Sequence, residues 1–216
     1  MEVDELFNIT TKEDFERDYS QRHWSWYQDL LSECVRNGVP GKWLDLGAGL
    51  GLFVECAQRF GINCIGLEGS DYAIETALKR FPGITMKKNL LSQPLPFADN
   101  SIATIMCYQV LEHLLPEVMD FTLRESYRIL QPGGRIFIYS PSKFNKRERQ
   151  DPTHINLFSL SELRRSLNKV GFKIVEEDNT PIFFSAKKFL KRLSIEVFRL
   201  FPFSFLSATA NCVAEK

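Results

Sequence analysis

The chain lacks most of the features that would place it outside a reducing compartment or against a charged polymer. Its five cysteines (Cys34, Cys56, Cys64, Cys107 and Cys212) are odd in number and form no CxxC pair. This argues against a disulfide framework or a structural zinc site and fits reduced thiols in a cytosolic protein. Lys plus Arg and Asp plus Glu both total 27, so the net charge is zero. No global field draws in nucleic acid, and no nucleic-acid partner is expected. No run of 18 apolar residues is present, which excludes a membrane-spanning helix. The opening MEVDELFNITTKEDFE is acidic and has no apolar core, so no signal peptide is read there. A cytoplasmic protein is expected.

With 216 residues, 44% of them hydrophobic, the chain has material for one α/β domain with a substantial core. No internal repeat or low-complexity tract interrupts it. Residues 1–39 read as a helical segment, with Phe15, Tyr19, Trp24, Tyr27, Leu30, Leu31 and Val35 set among charges, that caps the ligand site or covers a sheet edge. Residues 40–216 form the main domain. Strand candidates fall at Trp43–Leu46, Ile62–Leu67, Ile84–Lys87, Ile102–Cys107, Arg135–Tyr139, Phe172–Val175 and Asn211–Ala214. Helical patterns alternate with them, which predicts a doubly wound, seven-stranded, mostly parallel sheet with helices on both faces. Ser159-Leu160-Ser161-Glu162 is a capping-box pattern, and Gly171 stands where that helix should stop.

The most informative stretch is Trp43-Leu44-Asp45-Leu46-Gly47-Ala48-Gly49-Leu50-Gly51. An apolar strand runs into three alternate glycines, and Leu52, Phe53, Cys56, Ala57 and Phe60 then recur at helical spacing. Glycines let the backbone turn sharply and approach a ligand closely. Two cofactor classes use such a loop, dinucleotides and S-adenosylmethionine. The dinucleotide fingerprint GxGxxG is not met, because its third glycine falls on Leu52. Asp45, inside the strand, would repel a pyrophosphate and suits a ligand carrying an ammonium and a sulfonium. Glu68, ending the second strand, serves ribose hydroxyls in either class.

Further blocks follow in order: Gly66-Leu67-Glu68-Gly69-Ser70, Leu95-Pro96-Phe97-Ala98-Asp99-Asn100-Ser101, Val110-Leu111-Glu112-His113-Leu114, Leu130-Gln131-Pro132-Gly133-Gly134 and His154-Ile155-Asn156-Leu157-Phe158-Ser159. With the glycine loop, they make residues 40–178 resemble the class I S-adenosylmethionine-dependent methyltransferases of the small-molecule type, similar to the quinone-biosynthesis O-methyltransferases. The resemblance implies a Rossmann-like methyltransferase fold and S-adenosylmethionine as cofactor. It implies that Asp45 orients the amino group and that Gly47, Ala48, Gly49 and Gly51 lie against the methionine moiety and ribose. Glu68 would hold the ribose, Gly69 and Ser70 would line the adenosine side, and Leu90 would cover the adenine. Asn89 stands where the family has an Asp reaching the adenine amino group, and its carbonyl accepts the same bond. Gln109 would lie beside the methionine portion. In the quinone enzymes the Glu-His region is linked to a divalent metal. Here Gln109 replaces the preceding acid of that pattern, and no metal is expected.

Methyl transfer is an in-line displacement at an activated sulfonium, so the protein mainly aligns the partners and excludes water. A base is needed only where the acceptor must lose a proton, as a hydroxyl does. His113, just past the fourth strand, and His154, in the loop after the fifth, are the catalytic candidates. Each is read as acceptor contact or base, or as a structural residue. Lys143, Lys146, Arg147 and Arg149 form a basic cluster, either a solvated face or a seat for an anionic acceptor. Of 18 phenylalanines, seven fall between Phe183 and Phe205. This basic, Phe-rich helical insert at about 183–206 reads as a core helix, a dimer contact, or an amphipathic helix touching a membrane or lining an apolar channel through residues 185–206. The expected activity is methyl transfer to a small-molecule or lipid-linked acceptor, more readily at oxygen. The alternatives are a dinucleotide-dependent oxidoreductase and a non-catalytic binding module.

Overall fold

The structure is a computed structural model, and it describes residues 24–178 and 208–216. Helix α1 (Trp24–Asn37) precedes β1 (Trp43–Leu46), α2 (Leu52–Arg59), β2 (Cys64–Glu68), α3 (Asp71–Arg80) and β3 (Thr85–Lys88). Then come β4 (Ile102–Tyr108), α4 (Pro116–Ile129), β5 (Leu130–Tyr139), α5 (Leu160–Val170), β6 (Lys173–Asp178) and β7 (Asn211–Glu215). The seven strands form one sheet in the order β3-β2-β1-β4-β5-β7-β6. Strands β1, β2, β3 and β4 pair in parallel, whereas β6 and β7 pair antiparallel. The expected doubly wound, mostly parallel sheet is present. The strand order reverses between β1 and β4, and doubly wound sheets take their ligands outside the strand ends at that point.

The chain divides into two compact units, Met1–Met106 with Arg128–Arg135, and Cys107–Tyr127 with Ile136–Lys216. In the first, β1 is buried along its whole length, as a central parallel strand covered on both faces should be. Helix α1 buries Tyr27, Leu30, Leu31 and Cys34 and packs on α2. Tyr27 is therefore a packing residue, although the sequence also suited it to a lid. Trp43 Nε1 donates to the Val39 carbonyl at 2.9 Å, fixing the turn into β1. Arg128 clamps the proline-rich loop, donating to the carbonyls of Leu95 (3.0 Å) and Phe97 (2.9 Å) and pairing with Asp99.

In the second unit α5 carries the expected capping box. Ser159 Oγ accepts from the Glu162 amide while Glu162 reaches back to the Ser159 amide. Gly171 ends the helix in a left-handed turn at φ 116°. Strand β5 starts earlier than predicted, at Leu130 rather than Arg135. The Pro-Gly-Gly turn lies inside the part of it that belongs to the first unit, and Gly133 takes a left-handed backbone at φ 74°. The Phe-rich insert lies outside the described residues, as does the N-terminal segment before Trp24.

Candidate active site

The glycine loop leaves β1 at the reversal point and is shaped by its own backbone. Gly47, Gly49 and Gly51 all have positive φ, at 74°, 50° and 71°. An L side chain pays a steric penalty there, which explains a glycine at every second position. The amides of Gly47 and Ala48 both donate to the Leu67 carbonyl at 2.8 and 2.9 Å, tying the loop to the end of β2.

Glu68 joins the two sides. Its carboxylate accepts the Gly49 amide at 2.8 Å on one oxygen, and those of Gly69 (2.8 Å) and Ser70 (2.9 Å) on the other. Three main-chain donors on one carboxylate fix both the loop and the start of α3. Ser70 also caps α3, accepting from Ala73. Next to this, Asn89 donates its amide to the Leu90 carbonyl at 2.7 Å, which leaves its side-chain oxygen as the acceptor the sequence asked for. The Asn89 main-chain N–H donates to the Glu68 carbonyl at 3.0 Å. A Cβ at Gly69 would lie 3.0 Å from Leu90 Cδ2, so these two predicted adenosine-side residues are neighbours.

Asp45 is 4% exposed, and its strand neighbours are Gly66 and Met106. Burial, and then the nearby Glu68 charge, push its carboxyl up to about 8. Burial raises Glu68 as well, opposed by the amides of Ser70, Gly49 and Gly69. Two buried acids whose charges repel fit a positively charged ligand, which relieves both the desolvation and the mutual repulsion. A pyrophosphate would worsen both. The residues thus fit S-adenosylmethionine.

The second unit brings the two histidine candidates into contact. Their rings stand 4.9 Å apart, edge to face at 61°. His113 ends a short 3-10 turn (Leu111–His113), and its Nδ1 lies 3.0 Å from the Thr153 carbonyl. His154 Nδ1 lies 3.0 Å from the Glu148 carbonyl, with the Glu148 carboxylate 3.6 Å away. A carbonyl only accepts, so both Nδ1 atoms carry a proton, and a ring in its neutral form has its lone pair at Nε2. The Asn156 amide donates to the Glu112 carbonyl at 3.0 Å, drawing the His154 loop onto the turn that holds His113. Asp151 accepts from the amide and hydroxyl of Thr153. Burial works against its charged form, but the Thr153 bonds and the two histidines hold its carboxyl below the usual range.

Glu112 was read in the sequence only as part of the Glu-His region and not as a candidate in its own right. It is fully buried, accepts from Ser140 Oγ at 2.8 Å, and offers a carboxylate oxygen to the histidine pair. Its signal was an acid inside the apolar run Val110-Leu111-Glu112. Gln109 adopts a left-handed backbone at φ 55°, with its amide on the Tyr139 carbonyl at 2.8 Å. A non-glycine residue held there is characteristic of ligand-facing strand ends. The basic cluster is partly spent on structure, since Lys143 pairs with Glu162 at 2.7 Å.

A doubly wound sheet whose first glycine loop closes on the acid ending β2, beside a buried strand acid, defines a nucleoside-cofactor domain of the methyltransferase type. The chain belongs to the methyltransferase-domain family, whose model matches residues 17–177. It is a class I S-adenosylmethionine-dependent methyltransferase domain. It is 27% identical over 170 residues to a protein of Mycolicibacterium smegmatis named a probable S-adenosylmethionine-dependent methyltransferase, covering 77% of this chain and 63% of that one. It is 26% identical over 160 residues to the sterol 24-C-methyltransferase of Kluyveromyces lactis, covering 63% and 41%. The chain therefore spans less than two thirds of these relatives' length. Among solved structures, a phosphoethanolamine N-methyltransferase of Haemonchus contortus, holding phosphomonomethylethanolamine and S-adenosylhomocysteine, superposes with a TM-score of 0.71 at 17% identity. That match covers 100% of this chain and 60% of the other, and it speaks to the fold. No helix among the described residues is long and apolar enough to cross a membrane.

Proposed function

We propose that this protein moves a methyl group from S-adenosylmethionine to a hydroxyl of a small-molecule or lipid-linked acceptor. The observation that carries the reading is the buried Asp45 beside the amide-bound Glu68, an acidic cradle suited to a cationic nucleoside. Bound there, S-adenosylmethionine supplies a methyl already activated by its sulfonium. Asp45 takes the amino group, while the main chain of Gly47, Ala48, Gly49 and Gly51 lies along the methionine and ribose. Glu68 accepts from the ribose, Gly69 and Ser70 border the adenosine, Asn89 accepts from the adenine amino group, and Leu90 covers the ring. Gln109 contacts the methionine portion.

On the acceptor side, His113 and His154 present their lone pairs at Nε2. One orients the hydroxyl while the other takes its proton, a role that needs a neutral imidazole with a fixed tautomer. The main-chain carbonyls of Thr153 and Glu148 fix it for both rings. A lipid-linked acceptor is supported by the basic, Phe-rich composition of 185–206 and by the sterol enzyme among the relatives.

Titration with S-adenosylhomocysteine and with NADH tests the cofactor half, and binding of NADH alone would sink the reading. Methyl-labelled S-adenosylmethionine, incubated with a panel of hydroxylated acceptors, tests the transfer. Co-sedimentation with anionic vesicles, with and without residues 185–206, tests the membrane contact. Undiminished binding after deletion removes it.

A further inference from the structure

We propose that Asp151 is a positioning residue for His113: it holds Thr153 so that the Thr153 carbonyl keeps a proton on His113 Nδ1 and leaves Nε2 for the acceptor. Its effect on turnover rests on the proposed function. The arrangement of the ring does not.

The device is local in origin. A residue before proline is pushed out of the helical region, and Asp151, ahead of Pro152, is extended at φ −78° and ψ 116°. An Asp so placed accepts from the backbone two residues on. Asp151 Oδ1 takes the Thr153 amide at 2.9 Å and the Thr153 hydroxyl at 2.6 Å. The Asp151 main-chain carbonyl takes the His154 amide at 3.2 Å. That amide and the Thr153 carbonyl belong to one peptide group, so Asp151 grips Thr153 by its amide, its hydroxyl and the peptide that follows. The carbonyl end of that peptide, which also takes the Ile155 amide, meets His113 Nδ1 at 3.0 Å. Burial works against the ionised Asp151 carboxyl, but the Thr153 bonds and the two histidines hold it low, so at neutral pH it only accepts.

His154 is a built-in control. Its Nδ1 bonds to the Glu148 carbonyl, at the start of a 3-10 turn (Glu148–Gln150) ahead of Asp151, with the Glu148 carboxylate 3.6 Å away. Loss of the Asp151 carboxylate therefore frees the anchor of His113 and leaves that of His154 in place.

Long-range nitrogen–proton spectra read the tautomer of each ring. The chain has three histidines, and His23→Gln and His154→Ala assign them. Well above the ordinary imidazole value, wild type should show His113 and His154 both protonated at Nδ1. In Asp151→Ala the Nε2–H form of His113 should appear while the His154 pattern stays. Turnover with a hydroxyl acceptor should fall about 10- to 100-fold, the scale of a misplaced catalytic group, with the KM for S-adenosylmethionine unchanged. Asp151→Asn keeps an oxygen for both Thr153 bonds and should restore the wild-type spectrum and most of the turnover. Asp151→Glu keeps the charge but carries it one methylene too far, and should behave as Asp151→Ala does. An unchanged His113 pattern in Asp151→Ala, or an equal change in both rings, overturns the proposal. Should Asp151→Ala fail to fold, Asp151→Glu gives the same comparison, and a wild-type His113 pattern there overturns it too. A wild-type chain that shows these ring spectra and methylates no hydroxyl sinks the proposed function and leaves the arrangement standing.

Discussion

The two units of the molecule build their sites by different means. In the first, the ligand cradle is mostly main chain. Three positive-φ glycines and the amides of Gly49, Gly69 and Ser70 converge on one carboxylate within two consecutive strand-loop turns. In the second, the groups proposed to meet the acceptor are side chains from separate segments, a turn after β4 and a loop after β5, joined by the Asn156–Glu112 main-chain bond. A site made of backbone is fixed by local sequence and tolerates few substitutions. A site made of side chains on loops changes its chemistry by single replacements while the sheet stays the same. This division fits a domain that keeps one cofactor and varies its acceptor.

The sharpest way to break that contrast is His154→Ala. Loss of a proton-handling side chain should lower turnover about 10²- to 10⁴-fold with a hydroxyl acceptor. Cofactor affinity should stay at the wild-type value, because the side-chain partners of His154 among the described residues are Glu148 and the His113 ring, both in the second unit. Parallel calorimetry with S-adenosylhomocysteine checks this. A large loss of cofactor affinity would show that the two halves are not separable.

Gly49→Val is the reverse experiment. A β-branched residue at φ 50° is strained by about 1–3 kcal/mol and withdraws the amide from Glu68. S-adenosylhomocysteine binding should weaken about 100-fold, while circular dichroism stays native. If both this variant and His154→Ala bind cofactor normally, the assignment of the two halves is wrong.

These contrasts also explain what the sequence disclosed. The sharp glycine turn, the capping box at Ser159 and the Gly171 stop were legible because each is a local rule about backbone geometry, and each appears in the structure where it was read. The start of β5 was not, because Pro132-Gly133-Gly134 has the composition of a turn and only the neighbouring strands reveal it as part of a strand. The pairing of His113 with His154 was not either. Each histidine stood out alone, but nothing local says that a loop 40-odd positions on returns to the same turn. Glu112 was hidden for the same reason, since its role depends on Ser140 and on both rings.

A pH titration gives a smaller effect. Asp45 is held up at about 8, so the folded chain keeps a proton that the unfolded chain releases near the ordinary carboxylate value. Its contribution to stability is full below that ordinary value and is lost as pH rises toward 8. Cofactor binding runs the other way, because the ammonium and sulfonium favour the ionised carboxyl. Affinity for S-adenosylmethionine should rise by up to about tenfold per pH unit below 8 and then level off. Calorimetry in a pH series checks both signs, and Asp45→Asn should flatten the binding profile. A profile that is already flat in the wild type would mean that Asp45 is ionised without the ligand.

Glu162→Gln probes how firmly the second unit holds its loop. The carboxylate accepts from the amide and hydroxyl of Ser159 and pairs with Lys143, while the Lys143 main chain donates to Phe158. One side chain therefore ties both ends of the loop that carries His154 to the start of α5. Burial works against the ionised form, but Lys143 and the Ser159 amide hold the carboxyl down at about 2. That contribution is present above the ordinary carboxylate value and is lost as pH falls toward 2. The amide keeps a carbonyl acceptor for the cap and loses the ion pair, which is partly exposed and worth little. Stability should fall by about 1 kcal/mol or less, of the order of a weakened helix cap, read as a small drop in the thermal midpoint. Cofactor affinity should not change, and turnover should fall far less than in His154→Ala. A loss of turnover as large as that of His154→Ala would mean that the position of the loop, rather than the chemistry of the imidazole, limits the acceptor half.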